Sequence, residues 1–570
     1  MRVLRINTRT QEARWEAVPE AWQRLGGRGL IAWILLDEVP AACDPLGPQN
    51  TLIWAPGLLV GYGLSSCDRI SIGGKSPLTG GVKETNAGGT TGAALVRLGI
   101  KALLLEDRPE EDGWWVIVVD GQGVRFEPAD DLAGLGVYAA AERLRQRYGE
   151  RAAISLIGPA GEMRLRAAGI QNLDRDGVPS RISARGGMGA VMGSKRIKAI
   201  VFDPPPDAHP QVADPKALRE AKKVYTQALL GHPQTKVYHD YGTAAMTAMT
   251  TQFGSLPTRG FSAGFFEGWE RITGDALRER ILQRGKPGAP SHACMPGCVI
   301  QCSNVYVDEQ GQVLTSPLEY ETIGLLGSNL GIDDLDVIAH LNREANDLGL
   351  DTIEIGGALG VAGRAGLFHW GDGKQALALL QEIRQGTPLG RILGNGAVIT
   401  GKVLGVEQVP AVKGQGMPAY EPRAIKGTGV TYATSPQGAD HTAGLTIRAK
   451  VDHLSPEGQA KLSRRVQVSM AGYDTLGACI FAGFGFAAAP KDLIARLLRA
   501  IYGWEDVGED VLKALGTETL RLELAFNRRA GFTAADDRLP EWMTREPVPP
   551  TGAVFDVPEE DLDGVFADLV

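Results

Sequence analysis

Three of the six cysteines stand close together, in Cys294-Met-Pro-Gly-Cys298-Val-Ile-Gln-Cys302. Thiols this dense, in a chain with so few others, point to a metal or redox centre and away from a disulfide scaffold. On one straight helix Cys294 and Cys302 would lie ~12 Å apart along the axis. Pro296 and Gly297 disfavour such a helix and let the backbone wrap a metal centre. Three thiolates from a tight loop plus one distant thiolate is the usual way to hold a cubane cluster. Cys479, in the glycine-rich Asp474-Thr-Leu-Gly-Ala-Cys479, is the best fourth candidate. The same cluster also admits zinc, with His292 as a ligand, although structural zinc prefers paired Cys-x2-Cys or Cys/His spacings. Cys43 and Cys67 stand alone and read as small buried side chains.

Two glycine-rich segments suit an anionic ligand. Arg185-Gly-Gly-Met-Gly-Ala-Val-Met-Gly-Ser-Lys195 is not a Walker A loop, because Ser194 separates Gly193 from Lys195. Gly187, Gly189 and Gly193 nearly match a dinucleotide fingerprint. That fingerprint needs a strand before it, and residues 181–185 read as a poor strand. Backbone N–H groups and basic residues here suit an anion, while a tight turn against a sheet explains the same residues. Lys83-Glu-Thr-Asn86-Ala-Gly88-Gly89 is a second place where backbone can approach a ligand.

The elements that position these loops follow from pattern. Residues 51–55, 102–106, 114–119, 152–157 and 197–202 are short runs rich in Val, Ile, Leu and Trp, bounded by turn residues, and read as strands. Asp120-Gly-Gln-Gly123 between apolar runs signals a hairpin. Pro204-Pro-Pro206 is a stiff punctuation. Beyond it, apolar spacings of three and four predict helices over 335–346, 353–365, 491–502 and 517–527. No internal repeat of fixed period is visible. The fold class expected is α+β: a β-rich base (1–208) followed by two mainly α-helical domains (209–420 and 421–570).

Bulk properties narrow the function. The net charge of −8 over 570 residues gives no electrostatic reason for nucleic acid or an anionic membrane as partner. The longest apolar stretch, 477–490, falls short of the ~20 residues of a spanning helix. Charges interrupt the first twenty residues, so no secretory signal is read there. These features predict a cytoplasmic protein without membrane insertion.

Taken in order, the motifs form a recognisable set. Leu25-Gly-Gly-Arg-Gly-Leu30 comes first, then Arg69, Lys75-Ser-Pro-Leu-Thr-Gly80, Asn86-Ala-Gly-Gly89 and the Ala184–Lys195 loop. The cysteine cluster, Glu319-Tyr-Glu321-Thr322, Asn346-Asp-Leu-Gly-Leu-Asp351, Gly438-Ala-Asp-His441 and Asp474-Thr-Leu-Gly-Ala-Cys479 follow. Phe526-Asn527 and Asp536-Asp-Arg-Leu-Pro540 close it. Over nearly the whole chain this order resembles the aldehyde:ferredoxin oxidoreductase family of tungsten enzymes.

The resemblance implies a tungsten or molybdenum atom held by two pterins, beside a [4Fe-4S] cluster on Cys294, Cys298, Cys302 and Cys479. It implies Mg2+ on the backbone carbonyls of Asn86 and Ala184, which suits a hard cation. The implied cofactor-binding set is Arg69, Asn86, Gly88, Ser183, Ala184, Gly186, Asn346, Leu350, Asp351, Asp474 and Ala478. The implied reaction is aldehyde plus water to carboxylic acid, with electrons leaving singly to ferredoxin or an iron–sulfur partner. His441, with Glu321 or Glu319, would supply the proton donor and base, Glu321 being preferred by motif spacing. A homodimer is compatible. Three departures stand out. Asn346 replaces the usual Asp and loses its charge. Ala478 replaces a Leu. The first two cluster cysteines are separated by three residues where the best-known members have two. Rival readings are a same-fold oxidoreductase with another substrate, a non-catalytic iron–sulfur or zinc scaffold, and a nicotinamide-dependent dehydrogenase.

Overall fold

The computed structural model describes all residues, Met1–Val570. Its N-terminal part is a base of two six-stranded sheets. The first contains β1 (Arg2–Asn7), β2 (Glu12–Ala17), β3 (Leu52–Pro56), β4 (Ile70–Lys75), β5 (Val82–Ala87) and β6 (Ile100–Glu106), in spatial order β2-β1-β6-β3-β4-β5. The second contains β7 (Trp115–Asp120), β8 (Gly123–Pro128), β9 (Ala153–Leu156), β10 (Ile170–Leu173), β11 (Pro179–Ser183) and β12 (Ile197–Asp203), in order β8-β7-β12-β9-β10-β11. Adding six to each strand number converts one order into the other.

Pairing senses obey the same rule. β1 runs parallel to β6 as β7 does to β12, and β3 antiparallel to β6 as β9 does to β12. Helices follow suit: α1 (Gly27–Glu38) comes after β2 and α2 (Thr91–Arg97) after β5. Their counterparts are α3 (Val137–Tyr148) after β8 and, beyond the short α4 (Pro159–Glu162), α5 (Met188–Ser194) after β11. The base is thus a duplicated fold, although its sequence carries no repeat of fixed period. No fixed period marks it because the connections differ in length: β2 to β3 runs from Ala17 to Leu52, but β8 to β9 only from Pro128 to Ala153.

Period-two alternation builds the layers. Leu4, Ile6, Leu103 and Leu105 face a core shared with Ile117, Val119, Ile200 and Phe202 of the second sheet. Val3, Ala102 and Leu104 face α1 on the opposite side, and Val116, Val118, Ala199 and Val201 face α3. The order is helix, sheet, sheet, helix.

The glycine-rich loop differs from expectation. Strand β11 precedes it, and Gly186 and Gly187 turn the chain at φ +82° and +81° into α5. β11 escaped pattern reading because it is an edge strand holding Pro179, Ser180 and Arg181. It pairs antiparallel with β10, so the parallel βαβ unit of a dinucleotide site is absent.

Beyond Asp203 the chain is mainly helical, as the patterns predict, from Pro215–Gly231 onward. Helices Leu335–Leu348, Thr352–Arg364, Leu493–Tyr502 and Val511–Arg529 cover the expected segments. Two small sheets interrupt them: one of β13 (Ala289–His292), β14 (Ser303–Val307) and β15 (Val313–Thr315), the other pairing Ala411–Val412 with Gln415–Gly416. No helix is long and apolar enough to cross a membrane.

Candidate functional site

The cysteine loop is the connection between β13 and β14, turned at Gly297 with φ +75°. It lies against the base. Gly89 N–H donates to the Cys294 carbonyl at 2.8 Å, and Val299 N–H to Ser65 Oγ at 3.0 Å. Cys479 arrives from far along the chain, just past helix Gln459–Leu476, and its N–H donates to the Ser66 carbonyl at 2.8 Å. Four thiols from two distant segments therefore converge on the strip Ser65–Arg69. A Cβ on Gly88 would stand 3.1 Å from Cys294 Sγ, so only glycine lets the loop sit this close.

The sulfur spacing separates the metal readings. No three of the four sulfurs lie within 4.8 Å of one another. Thiolates on one tetrahedral zinc, with bonds of ~2.3 Å, would stand ~3.8 Å apart. The wider spacing suits a cluster of several irons. His292 is engaged elsewhere: its Nε2 lies 2.6 Å from Asp176, and its Nδ1 3.2 Å from the Arg181 guanidinium. Burial pushes the Cys294 thiol up to about 12, and Cys302 and Cys479 also rise with burial. Buried thiolates here need nearby positive charge, which metal ions bound to them would supply. Arg69 contributes too. Burial opposes its charge, but Cys479, Cys294, Asp474 and Glu84 outweigh that and hold the guanidinium above its usual range.

The two six-residue motifs have one geometry. Asn346 lies in the last turn of helix Leu335–Leu348, which ends at Gly349 with φ +76°. Asp474 lies in the last turn of helix Gln459–Leu476, which ends at Gly477 with φ +77°. Each motif docks on equivalent points of the duplicated base. Gly477 sits on Gly57 after β3, and Gly349 sits on Gly158 after β9. Arg69 N–H donates to the Gly477 carbonyl at 3.2 Å, and Gly169 N–H to the Gly349 carbonyl at 2.9 Å. Leu350 bridges Ala168, and Asp351 caps helix Thr352–Arg364 while facing Arg185 at 3.2 Å. Ala478 is buried, donating to the Tyr473 carbonyl. Asp474 meets Arg28 at 3.1 Å and Asn86 Nδ2 at 3.1 Å.

Asn86 and Ala184 stand at matching ends of β5 and β11, whose edges abut through Arg185 N–H and Thr85 Oγ1 at 3.3 Å. The Asn86 carbonyl faces Arg69 Nη2 at 2.8 Å. Ser183 is buried and accepts from Asn172, and the Gly186 carbonyl accepts from Ser76.

His441 and Glu321 come together, with Nε2 to Oε1 at 3.7 Å. Glu321 Oε2 accepts from Ala419 N–H at 2.7 Å. Burial raises Glu321 above the usual carboxylate range, with His441 pulling the other way. Glu319 does not join them. It hydrogen-bonds Thr243 and faces Cys302, Arg181 and Arg69. Tyr420, not singled out by motif, stacks near His441 at 6.5 Å between ring centroids. Asp440 forms a buried ion pair with Lys83 at 2.8 Å. Burial disfavours the Asp440 carboxylate, but Lys83 and Arg185 overcome that and hold it far below its ordinary range.

Comparison with known proteins agrees with this arrangement. Residues 3–204 match the model of the aldehyde ferredoxin oxidoreductase N-terminal domain, and residues 220–566 that of domains 2 and 3. The chain is 32% identical to the tungsten-containing aldehyde ferredoxin oxidoreductase of Pyrococcus furiosus, over 96% of this chain and 92% of the relative. The corresponding protein of Thermococcus kodakarensis is 33% identical over the same shares. The active site complex BamBC of benzoyl coenzyme A reductase, solved with 1,5-dienoyl-CoA, has the same fold. Its TM-score is 0.80 at 19% identity, covering 100% of this chain and 94% of that one. With its two motifs on a duplicated base and its converging cysteines, the chain is an oxidoreductase belonging to the aldehyde ferredoxin oxidoreductase family.

Proposed function

We propose that the chain oxidises aldehydes to carboxylic acids with water at one tungsten or molybdenum atom held by two pterins. Cys294, Cys298, Cys302 and Cys479 would hold a [4Fe-4S] cluster, which would supply one-electron transfer to ferredoxin or an iron–sulfur partner. The observation that carries this reading is the equivalence of Gly349 and Gly477: two like motifs on two like halves make two like seats. Asn346 to Asp351 would hold one pterin and Asp474 to Cys479 the other, with Arg69, Gly88, Ser183 and Gly186 lining the cradle. The carbonyls of Asn86 and Ala184 would hold Mg2+, which would supply positive charge for an anionic cofactor. In this division residues 1–208 are the base, and 209–420 and 421–570 each bring one motif. A cluster held on reduced thiolates suits a reducing, cytoplasmic compartment.

The metal centre supplies two-electron redox chemistry beside the bound aldehyde. The chain's own groups handle protons. His441 Nε2 lies 3.7 Å from Glu321 Oε1, so one oxygen at hydrogen-bond distance from both would close a triangle with them. His441 polarises the aldehyde oxygen. Glu321, raised by burial, takes the proton of the attacking water. Both Glu321 Oε1 and His441 Nδ1 are buried without a partner, as groups awaiting a ligand are.

Anaerobic purification followed by elemental analysis tests the reading. About four irons, one tungsten or molybdenum and pterin phosphorus per chain are expected. Zinc alone, or iron without either heavy metal after expression with both supplied, would overturn it.

A further inference from the structure

Ser66 holds a conformation that serine seldom adopts, with φ +61°. A non-glycine residue there pays a steric penalty that glycine would avoid, so its side chain has a reason to be present. Ser66 is 1% exposed, and its two polar ends reach two different cluster ligands. The carbonyl accepts the Cys479 N–H at 2.8 Å. The hydroxyl Oγ lies 3.3 Å from Cys298 Sγ. No other sulfur of the four meets a side-chain hydroxyl within hydrogen-bond range.

A chain of hydroxyls stands behind it. Ser65 Oγ lies 3.2 Å from Ser66 Oγ and accepts the Val299 N–H at 3.0 Å. The Ser65 carbonyl accepts from Tyr225 at 3.0 Å, which pins the backbone of the strip. Direction follows from chemistry. A ligating thiolate has no proton to give, so Ser66 must donate to Cys298. Ser65, its oxygen already taking the Val299 N–H, donates to Ser66. Each bond in such a row polarises the next.

We propose that Ser66, backed by Ser65, is a positioning residue that raises the reduction potential of the cluster through its hydrogen bond to the Cys298 thiolate. The inference rests on the [4Fe-4S] reading above. A hydrogen bond to a ligating sulfur stabilises the reduced, more negative cluster more than the oxidised one. Its loss therefore makes the cluster harder to reduce and leaves the ligand count untouched.

The test is an EPR-monitored redox titration of the anaerobically purified holoenzyme, beside Ser66→Gly and Ser66→Ala. Glycine is at ease at this φ, so Ser66→Gly removes the hydroxyl and the strain together. Iron content is measured for all three. The expected result is unchanged iron with the midpoint potential lower by about 59 mV in both variants, a tenfold fall in the reduced-to-oxidised ratio at fixed solution potential. An unchanged or higher midpoint with a full cluster overturns the proposal while leaving the cluster reading intact. Loss of the cluster in both variants makes Ser66 an assembly residue and overturns it as well. A parent enzyme with no iron–sulfur signal brings down the cluster reading itself.

Discussion

Glu321 Oε1 lies 3.7 Å from His441 Nε2, and neither Glu321 Oε1 nor His441 Nδ1 has a hydrogen-bond partner of its own. The pair sets an imidazole nitrogen beside a carboxylate oxygen that has no other partner. Replacing His441 with Asn is expected to lower kcat by about 10²–10⁴-fold with tungsten and iron retained. Glu321→Gln is expected to fall in the same range. Glu319→Gln, on the cluster side, should lose less than Glu321→Gln. Steady-state assays with a panel of aldehydes check the order, and near-normal turnover in the His441 variant would remove it from the mechanism.

Cys479 is the only cluster candidate outside the β13–β14 loop. Cys479→Ser is expected to reduce cluster iron and abolish electron delivery to a one-electron dye, while Cys43→Ser changes neither. Iron assay and EPR read both. Parental iron and dye reduction in the Cys479 variant would require a different fourth ligand.

The docking glycines leave no room for a methyl group. A Cβ on Gly57 would lie 2.1 Å from Gly477 N, and one on Gly158 2.4 Å from the Leu348 carbonyl. Gly57→Ala and Gly158→Ala should each push one motif off its seat, lowering pterin and heavy-metal occupancy and the melting temperature. Gly99→Ala, where a Cβ meets nothing within 4 Å but φ is +72°, isolates the backbone penalty of ~1–2 kcal/mol. Both docking variants should exceed that control; matching it would mean the seats tolerate separation.

Lys101 in β6 is buried, its Nζ held only by the Gln23 carbonyl at 3.2 Å, and burial lowers it to about 7. The folded state therefore binds fewer protons than the unfolded state between about 7 and its ordinary value of 10.5. Stability must rise with pH across that window, by at most ~1.4 kcal/mol per pH unit from this group. Lys195, also lowered to about 7 by burial, acts in the same direction. Lys101→Met should flatten part of the slope in denaturant unfolding between pH 7 and 9. A variant as pH-dependent as the parent would show that Lys101 is solvated in solution.

Much of this was legible in residue order. The Val/Ile/Leu runs marked β3, β6, β7, β9 and β12, because strands buried on both faces read as continuous apolar segments. β4 and β5 escaped, since Ile70–Lys75 and Val82–Ala87 carry Gly73, Gly74, Lys83 and Glu84 in buried positions and Asn86 half-buried. Their polar groups serve the cradle, so function overwrote the strand pattern. Spacing singled out Cys294, Cys298 and Cys302, while Cys479 was picked out by the glycine-rich stretch that holds it. The choice of Glu321 over Glu319 beside His441 was not readable, because it depends on which face of one short helix, Tyr320–Leu326, turns toward a loop more than a hundred residues away. Ser66 and Gly57 were invisible for the same reason: their partners, Cys298 and Gly477, are distant in sequence.

The duplicated base has one more implication. Cys479 and Asp351 close the two motifs at the same place, and Arg69 and Gly169 face them from the two halves. These substitutions are among those that tell the two seats apart, as are Asn346 against Asp474, Asp347 against Thr475 and Leu350 against Ala478. A guest built from two identical arms has no wrong way round in such a seat. Whichever arm enters first, one lands beside the cysteines and the other beside the Asp351–Arg185 ion pair.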